Sequence, residues 1–111
     1  MVCHIVLMKP RAGLSAGDRR AFVAAFERAV REIPTVRSVR VGRRVKHGAG
    51  YELVSPDAAD YLALIDFEDL AGLQAYLRHP AHDEVGARFG EALSAALVYD
   101  FEIGSLEDFQ V

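Results

Sequence analysis

The sequence predicts an α+β domain in which strands and helices follow one another in the order β-α-β-β-α-β. The chain has 111 residues, which is enough for one hydrophobic core and too few for two. Four short segments are rich in apolar residues, as strands are, and the stretches between them carry apolar residues at helical spacing. Two of the four strands are apolar on both faces, whereas a sheet with one solvated face alternates apolar and polar residues.

The first half of the chain predicts a strand, a helix and a second strand. Residues 2–8 form a short apolar run that ends at a Lys-Pro pair. Ser15 and Asp18 have the spacing of a capping box, in which the serine side chain accepts a backbone N–H group at the start of a helix. Pro34 ends that helix, and residues 36–45 alternate between valine and polar residues, as a second strand does. The helix carries its apolar residues at Phe22, Phe26, Ala29, Val30 and Ile33.

The second half repeats this pattern after a long connection. Residues 46–58 contain two glycines and a proline, and a functional lid and a disordered flap both fit such a segment. Residues 59–67 form the third strand, and Asp69 can cap the helix that follows. Pro80 interrupts that helix, and residues 96–103 form the fourth strand. Beyond the interruption, apolar residues recur at helical spacing at Val85, Phe89 and Leu93.

The apolar character of both strand faces bears on assembly. The element order is typical of a ferredoxin-like fold, with a four-stranded antiparallel sheet and its helices on one side. Because the helices can cover only one face, the other face needs a partner, and a second copy of the same sheet would cover it. We therefore predict a homodimer through the open sheet face. Each protomer would consist of a domain at residues 1–104 and a C-terminal tail at 105–111.

Charge and cysteine content exclude several classes of function. The chain has 13 Lys and Arg against 16 Asp and Glu, a net charge of −3, which argues against a nucleic-acid-binding protein. The only cysteine, Cys3, cannot form an intrachain disulfide, so we expect a reducing compartment such as the cytoplasm. The apolar run Ile5–Met8 is too short to span a membrane. We expect neither nucleic acid nor membrane among the partners.

Basic residues cluster in and after the second strand. Because they alternate with valine, we favour a solvated strand face, where charged side chains also discourage aggregation. An anion-attracting mouth near the loop that follows is the alternative. The residues concerned are Arg37, Arg40, Arg43, Arg44 and Lys46.

Five sequence stretches resemble one known family. They are His-Ile-Val-Leu at 4–7, Ile-Pro-x-Val-x-x-Val-x-x-Gly at 33–42, Phe-Glu-Asp at 67–69, Ala-Tyr-Leu-x-His-Pro-Ala-His at 75–82 and Tyr-Asp-Phe at 99–101. Together they are similar to the stress-responsive dimeric α/β-barrel domain, Dabb, a family that includes olivetolic acid cyclase of plant polyketide synthesis. The resemblance covers about residues 2–103, and its most specific part is the His-Pro-Ala-His block.

The resemblance implies a ferredoxin-like protomer whose sheet pairs with that of a second copy into a dimeric α/β barrel, and it implies no cofactor. By similarity to the cyclase, His82 would act as a base and Tyr76 would assist it, in a pocket between helices and sheet. His4 matches a further pocket residue. At the position of a third pocket histidine this chain has Tyr61, so the cyclase's own substrate is not implied.

A pocket for a small hydrophobic molecule would be lined by apolar and aromatic side chains. The candidates in this chain fit a pocket lining and a filled core equally well. They are His4, Val6, Met8, Phe22, Phe26, Tyr61, Val85, Phe89 and Leu93.

The histidines have structural and functional interpretations. A neutral imidazole at His82 suits a general base near neutral pH, and a helix-start histidine that bonds the backbone is the structural alternative. His79 precedes Pro80, which is favoured at the first helical position, so His79 would sit at the N-cap. His4 would bond a backbone carbonyl or a tyrosine, or would form a pocket wall. We expect no metal site, because the two histidines of the block have no third ligand at a suitable spacing.

Two classes of function remain open from the sequence. The first is a cofactor-free enzyme that carries out an aldol or other proton-transfer reaction on a small carbonyl compound, with His82 and Tyr76 as its catalytic residues. The second is a stress-associated or small-molecule-binding dimer without chemistry. A cavity that reaches both residues would favour the enzyme.

Overall fold

The computed structural model describes residues 1–109, and the last two residues of the predicted tail lie outside the described part. The order of elements is the predicted β-α-β-β-α-β, with the second helix divided in two. The four strands form one sheet in which the second, third, first and fourth strands of the chain lie side by side, with antiparallel neighbours throughout. The elements are β1 (Val2–Pro10), α1 (Ala16–Glu32), β2 (Val36–Arg43), β3 (Tyr61–Phe67), α2 (Leu70–Arg78), α3 (Pro80–Ala92) and β4 (Leu93–Glu102), with short 3₁₀ turns at Gly50–Leu53 and Leu106–Asp108. The fold is therefore ferredoxin-like.

The helix starts are capped as the sequence predicts. The Ser15 hydroxyl accepts the Asp18 N–H at 3.0 Å, and the Asp69 carboxylate accepts the Gly72 N–H at 2.8 Å. The Nδ1 atom of His79 accepts the Ala81 N–H at 3.0 Å, with Pro80 in the first turn of α3. His79 therefore caps the start of α3 at the point where α2 ends, and this cap occupies one of its two ring nitrogens.

Leu93 differs from its predicted place. It follows Val85 and Phe89 at helical spacing, but α3 ends at Ala92 and Leu93 has extended backbone angles (φ −111°, ψ 139°). The reason is the length of β1, which pairs with β4 as far as Pro10 opposite Leu93. The fourth strand therefore begins three positions before the predicted residue 96.

The register of β1 sorts its side chains onto two faces. His4 lies opposite Ile65 of β3, and Val6 lies opposite Ala63, so all four face the helices, where they are buried. The intervening residues of β1 and β3 point to the opposite face, which no helix of the described chain covers. That open face consists mainly of Ile5, Leu7, Leu62, Leu64, Leu97, Tyr99 and Phe101.

Two clusters of buried side chains fill the space between helices and sheet. The larger surrounds Ile65 and Tyr76, and the smaller contains Val6. Phe26 and Phe89 pack against both clusters, so these two rings join them into one layer under α1 and α3.

The long connection at 46–58 is held by its own hydrogen bonds. The Glu52 carboxylate accepts the N–H groups of His47 and Gly48. Tyr51 and Leu97 line the same small recess at one end of the open sheet face, so the segment lies against the edge of that face. Within residues 1–109 no helix is long and apolar enough to cross a membrane.

Candidate functional site

An apolar groove of about 730 Å³ runs between α1 and the sheet. Helix α1 forms one wall with Phe22 and Phe26, and the strands form the other with Met8, Tyr61 and Ala63. Helical and strand periodicity explain this arrangement, because positions three or four apart on α1 and two apart on each strand point the same way. The remaining lining residues are Pro10, Leu14, Arg19, Val23, Glu27, Val30, Val39, Val41, Gly42, Arg43, Leu62, Ala92 and Leu93.

A polar row lies elsewhere on the helix side of the sheet, formed by Asp100, His4, Tyr76 and His82. It starts on β4, where the Asp100 carboxylate lies 2.6 Å from Nδ1 of His4. An ionised carboxylate can only accept, so His4 Nδ1 donates and this hydrogen bond fixes the tautomer of a neutral His4. The His4 residue is 5% exposed.

Asp100 is the site residue that the sequence analysis did not single out. We expected His4 to bond a backbone carbonyl or a tyrosine, but its partner is this carboxylate. The two residues are 96 positions apart and become neighbours because β1 pairs with β4 with His4 opposite Asp100. The sequence feature that could have indicated Asp100 is the Tyr-Asp-Phe stretch, which places an acidic residue inside an apolar strand.

Tyr76 forms the centre of the polar row. Its ring packs edge-on against His4, with ring centroids 5.8 Å apart, and against His82, at 4.8 Å. Phe67 lies behind it at 5.2 Å. Burial raises the pKa of Tyr76 to about 12, so at neutral pH the side chain is an uncharged phenol.

His82 occupies the first turn of α3 and is half-buried. Burial lowers its pKa below the ordinary value of 6.5, and the nearby His4 adds to this effect, while Asp83 and the Leu77 backbone oppose it. The neutral imidazole is therefore the favoured form near pH 7, which is the form that a general base requires.

The structure brings some of the predicted site residues together and separates others. His4, Tyr76 and His82 form the polar row. The groove does not include Tyr76 or His82 in its lining. Phe22, which does line the groove, packs against Phe89 with ring centroids 5.4 Å apart. Among the other predicted pocket residues, those that line the groove are Met8, Phe22, Phe26, Tyr61 and Leu93, and those that lie in or against the packed layer are Val6, Val85 and Phe89.

Metal-ligating side chains are scattered across the described chain. Residues 1–109 contain no group of three or more His, Cys, Asp or Glu side chains that could hold a metal ion. His79 and His82 share a sequence block, but His79 is used as a helix cap.

The match to a protein family covers nearly the whole fold. Residues 2–103 match the stress responsive A/B barrel domain, Dabb. The chain belongs to the Dabb family. The match runs from the first residue of β1 to just beyond β4, so it includes both the apolar groove and the polar row.

Solved structures agree with the Dabb fold. The protein At3g17210 from Arabidopsis thaliana is 22% identical, with a TM-score of 0.78, over 96% of this chain and 98% of that one. Hydroxynitrile lyase from Passiflora edulis is 18% identical, with a TM-score of 0.78, over 98% and 96%. A dimeric ferredoxin-like protein of unknown function from Thermobifida fusca is 20% identical, with a TM-score of 0.70, over 92% and 90%. No curated protein matches this Dabb chain significantly.

The lowered pKa of His82 predicts a pH dependence of stability. In the unfolded chain His82 takes up a proton near its ordinary pKa, whereas the folded state binds that proton less readily. The contribution of His82 to the free energy of unfolding should therefore be complete above about pH 7 and decline as the pH drops below about 6.5. In His82→Gln this decline should be shallower in urea denaturation curves measured at several pH values.

His47→Gln is the matched control, because His47 is an exposed loop residue. It should keep the wild-type decline. Equal declines in wild type and His82→Gln would show that burial does not disfavour the charged form of His82.

Proposed function

We propose that this Dabb protein binds a small apolar molecule in the groove between α1 and the sheet. The observation that carries the proposal is the groove's volume of about 730 Å³ together with its largely aliphatic and aromatic walls. Sites for small organic ligands commonly measure about 300 to 1,000 Å³ and have such walls.

The exposure of the groove walls supports a binding role over a filled core. Val41 on the sheet wall is 72% exposed, and Val23 on the helix wall is 46% exposed. Tyr61, beside them, is 40% exposed. Contiguous apolar surface of this kind is rare in soluble chains outside interaction sites, so a bound apolar molecule would remove it from water.

The groove can be tested by placing one charge on each wall. The double variant Val23→Glu/Val41→Glu should bind Nile red, a neutral apolar dye, at least about fivefold more weakly than wild type, because its carboxylates would have to lose water on binding. Titration of dye fluorescence measures the affinity. Both positions are exposed, so the thermal unfolding temperature should change little.

Val54→Glu is the control for this experiment. Val54 is 84% exposed and lies outside the groove. Its dye affinity should equal that of wild type. Unchanged dye binding by the folded double variant would refute the groove as the binding site.

The polar row favours a second candidate function, a cofactor-free proton transfer. We propose that His82 removes a proton from the carbon next to a carbonyl group, while the neutral Tyr76 hydroxyl bonds the carbonyl oxygen. Asp100 supports this role through His4, whose ring packs against Tyr76. A molecule in the groove would reach His82 only after side chains rearrange, because the groove lining does not include His82. The similar Passiflora edulis protein is named as a lyase.

Exchange of carbon-bound hydrogen for deuterium tests this second function. Wild-type protein in D₂O should catalyse exchange at the α-carbon of a small apolar ketone such as 2-octanone, followed by NMR. His82→Gln should reduce the rate by about 10²-fold or more, since it removes the base. Tyr76→Phe should reduce it less.

His47→Gln should exchange at the wild-type rate. Absence of exchange by wild type across a panel of ketones and aldehydes would favour the alternative, a binding or stress-associated protein without chemistry.

We further propose that two protomers associate through the open sheet face. Leu97, Tyr99 and Phe101 on β4 are 39%, 51% and 52% exposed, and they continue a surface formed by β1 and β3. A monomer rarely exposes a continuous apolar strip of this kind, whereas a dimer would bury it in its interface. The Thermobifida fusca relative is described as dimeric.

Sedimentation velocity tests the dimer. Wild type should sediment with the mass of two chains at micromolar concentration. In Leu97→Glu the sedimenting mass should shift toward that of one chain, or the dimer should be less stable, because the charge would be buried at the interface. Leu53→Glu, at a loop position that is 91% exposed, should leave the mass unchanged. A well-folded wild-type monomer at micromolar concentration would refute the interface.

The chemistry of Cys3 fits our proposal of a cytoplasmic location. The thiol is buried and unpaired, and burial, followed by the neighbouring Asp66, raises its pKa. Such a cysteine is a weak nucleophile and behaves as a small apolar residue.

A further inference from the structure

One end of the groove carries charges that a purely apolar ligand would not use. Arg19 lines the groove from the helix wall and Arg43 lines it from the sheet wall. Within residues 1–109 neither guanidinium has an ion-pair partner. The basic side chains that do pair with carboxylates are Lys9, Arg28, Arg31, Arg37, Arg40, Arg44 and Arg88.

The topology brings both arginines to the same end of the groove. Arg43 lies opposite Tyr61, which lies opposite Met8 near the C-terminal end of β1. Arg19 lies in the first turn of α1, which follows β1 after a five-residue connection at 11–15. The helix start and the end of β1 therefore adjoin each other, and Tyr61 lines the same region of the groove.

The opposite charge lies farther along the groove. Glu27 also lines it, eight positions after Arg19 on α1, which corresponds to about 12 Å along a helix axis. The stretch between the two is lined by Phe22, Val23 and Phe26. The groove thus has a cationic end, an apolar middle and an acidic residue toward its far end.

We propose that the ligand of the groove is an elongated apolar molecule with one oxyanion head group, a carboxylate or a phosphate monoester, held at Arg19 and Arg43. This inference rests on the groove being the binding site, as proposed above. A guanidinium offers a planar fork of donors that matches either head group. Glu27 disfavours the reverse orientation, because it would meet the anion at the far end.

Three probes with the same alkyl chain test the head group. Decanoic acid and decyl phosphate, each below its micellar concentration, and 1-decanol, below its solubility limit, would be measured by displacement of Nile red. Wild type should bind at least one anion about three- to tenfold more tightly than the alcohol, a range expected for exposed guanidinium pairs. High salt should reduce this preference.

Variants assign the preference to the two arginines. In Arg19→Gln/Arg43→Gln the ratio of anion to alcohol affinity should fall to about one. Arg20→Gln is the matched control, since Arg20 is exposed on the same helix and does not line the groove, and it should keep the wild-type ratio. Dependence on the arginines for decyl phosphate alone would identify the head group as a phosphate, and dependence for decanoic acid alone as a carboxylate.

Two results would overturn the inference at different levels. Equal affinity of wild type for the anions and the alcohol, or an unchanged ratio in the double variant, would refute the head-group site while the groove remains a binding site. Failure of Nile red and of all three probes to bind wild type would refute the groove itself.

Discussion

The register of β1 with its two neighbours determines which chemical groups meet in this fold. His4 lies opposite Ile65 on one side and opposite Asp100 on the other, so one pairing buries the imidazole and the other supplies its carboxylate. A slip of one residue would turn His4 to the open face, because successive strand residues point to opposite sides. The hydrogen bond to Asp100, the contact with Tyr76 and the position of His82 beyond it all depend on this register.

The helix side of the sheet holds two chemically different sites. Under α1 lies an apolar groove that is open to solvent, and near β4 lies the polar row with its charged and neutral groups. Phe22 lines the groove and packs against Phe89, which also packs against the buried cluster that contains Tyr76. The groove lining contains none of the four residues of the polar row, so substitutions can be directed at either set of residues.

Local features of the fold could be predicted from the sequence, whereas the long-range contacts could not. The cap at Ser15 and the two-sided apolar strands follow from residue type and spacing within a few positions. Leu93 lies four positions after Phe89, so its spacing predicts a helix. The same apolar residue is equally suited to the first position of a strand, and spacing alone does not distinguish the two. Asp100 required knowledge of strand register across 96 residues. The groove could not be predicted, since the same side chains would also fill a core, and only their packed volumes decide between the two.

The junctions of α1 and α3 with the sheet differ in length and in backbone conformation. No residue intervenes between the end of α3 at Ala92 and the start of β4 at Leu93, so Phe89 stands on a helix that is anchored within four positions to a strand paired along most of its length. Phe22 stands on α1, which is joined to β1 through a connection containing Gly13 in a left-handed conformation (φ +73°). The Phe22–Phe89 contact therefore links a helix that is joined directly to the sheet with one that reaches it through a glycine-containing connection.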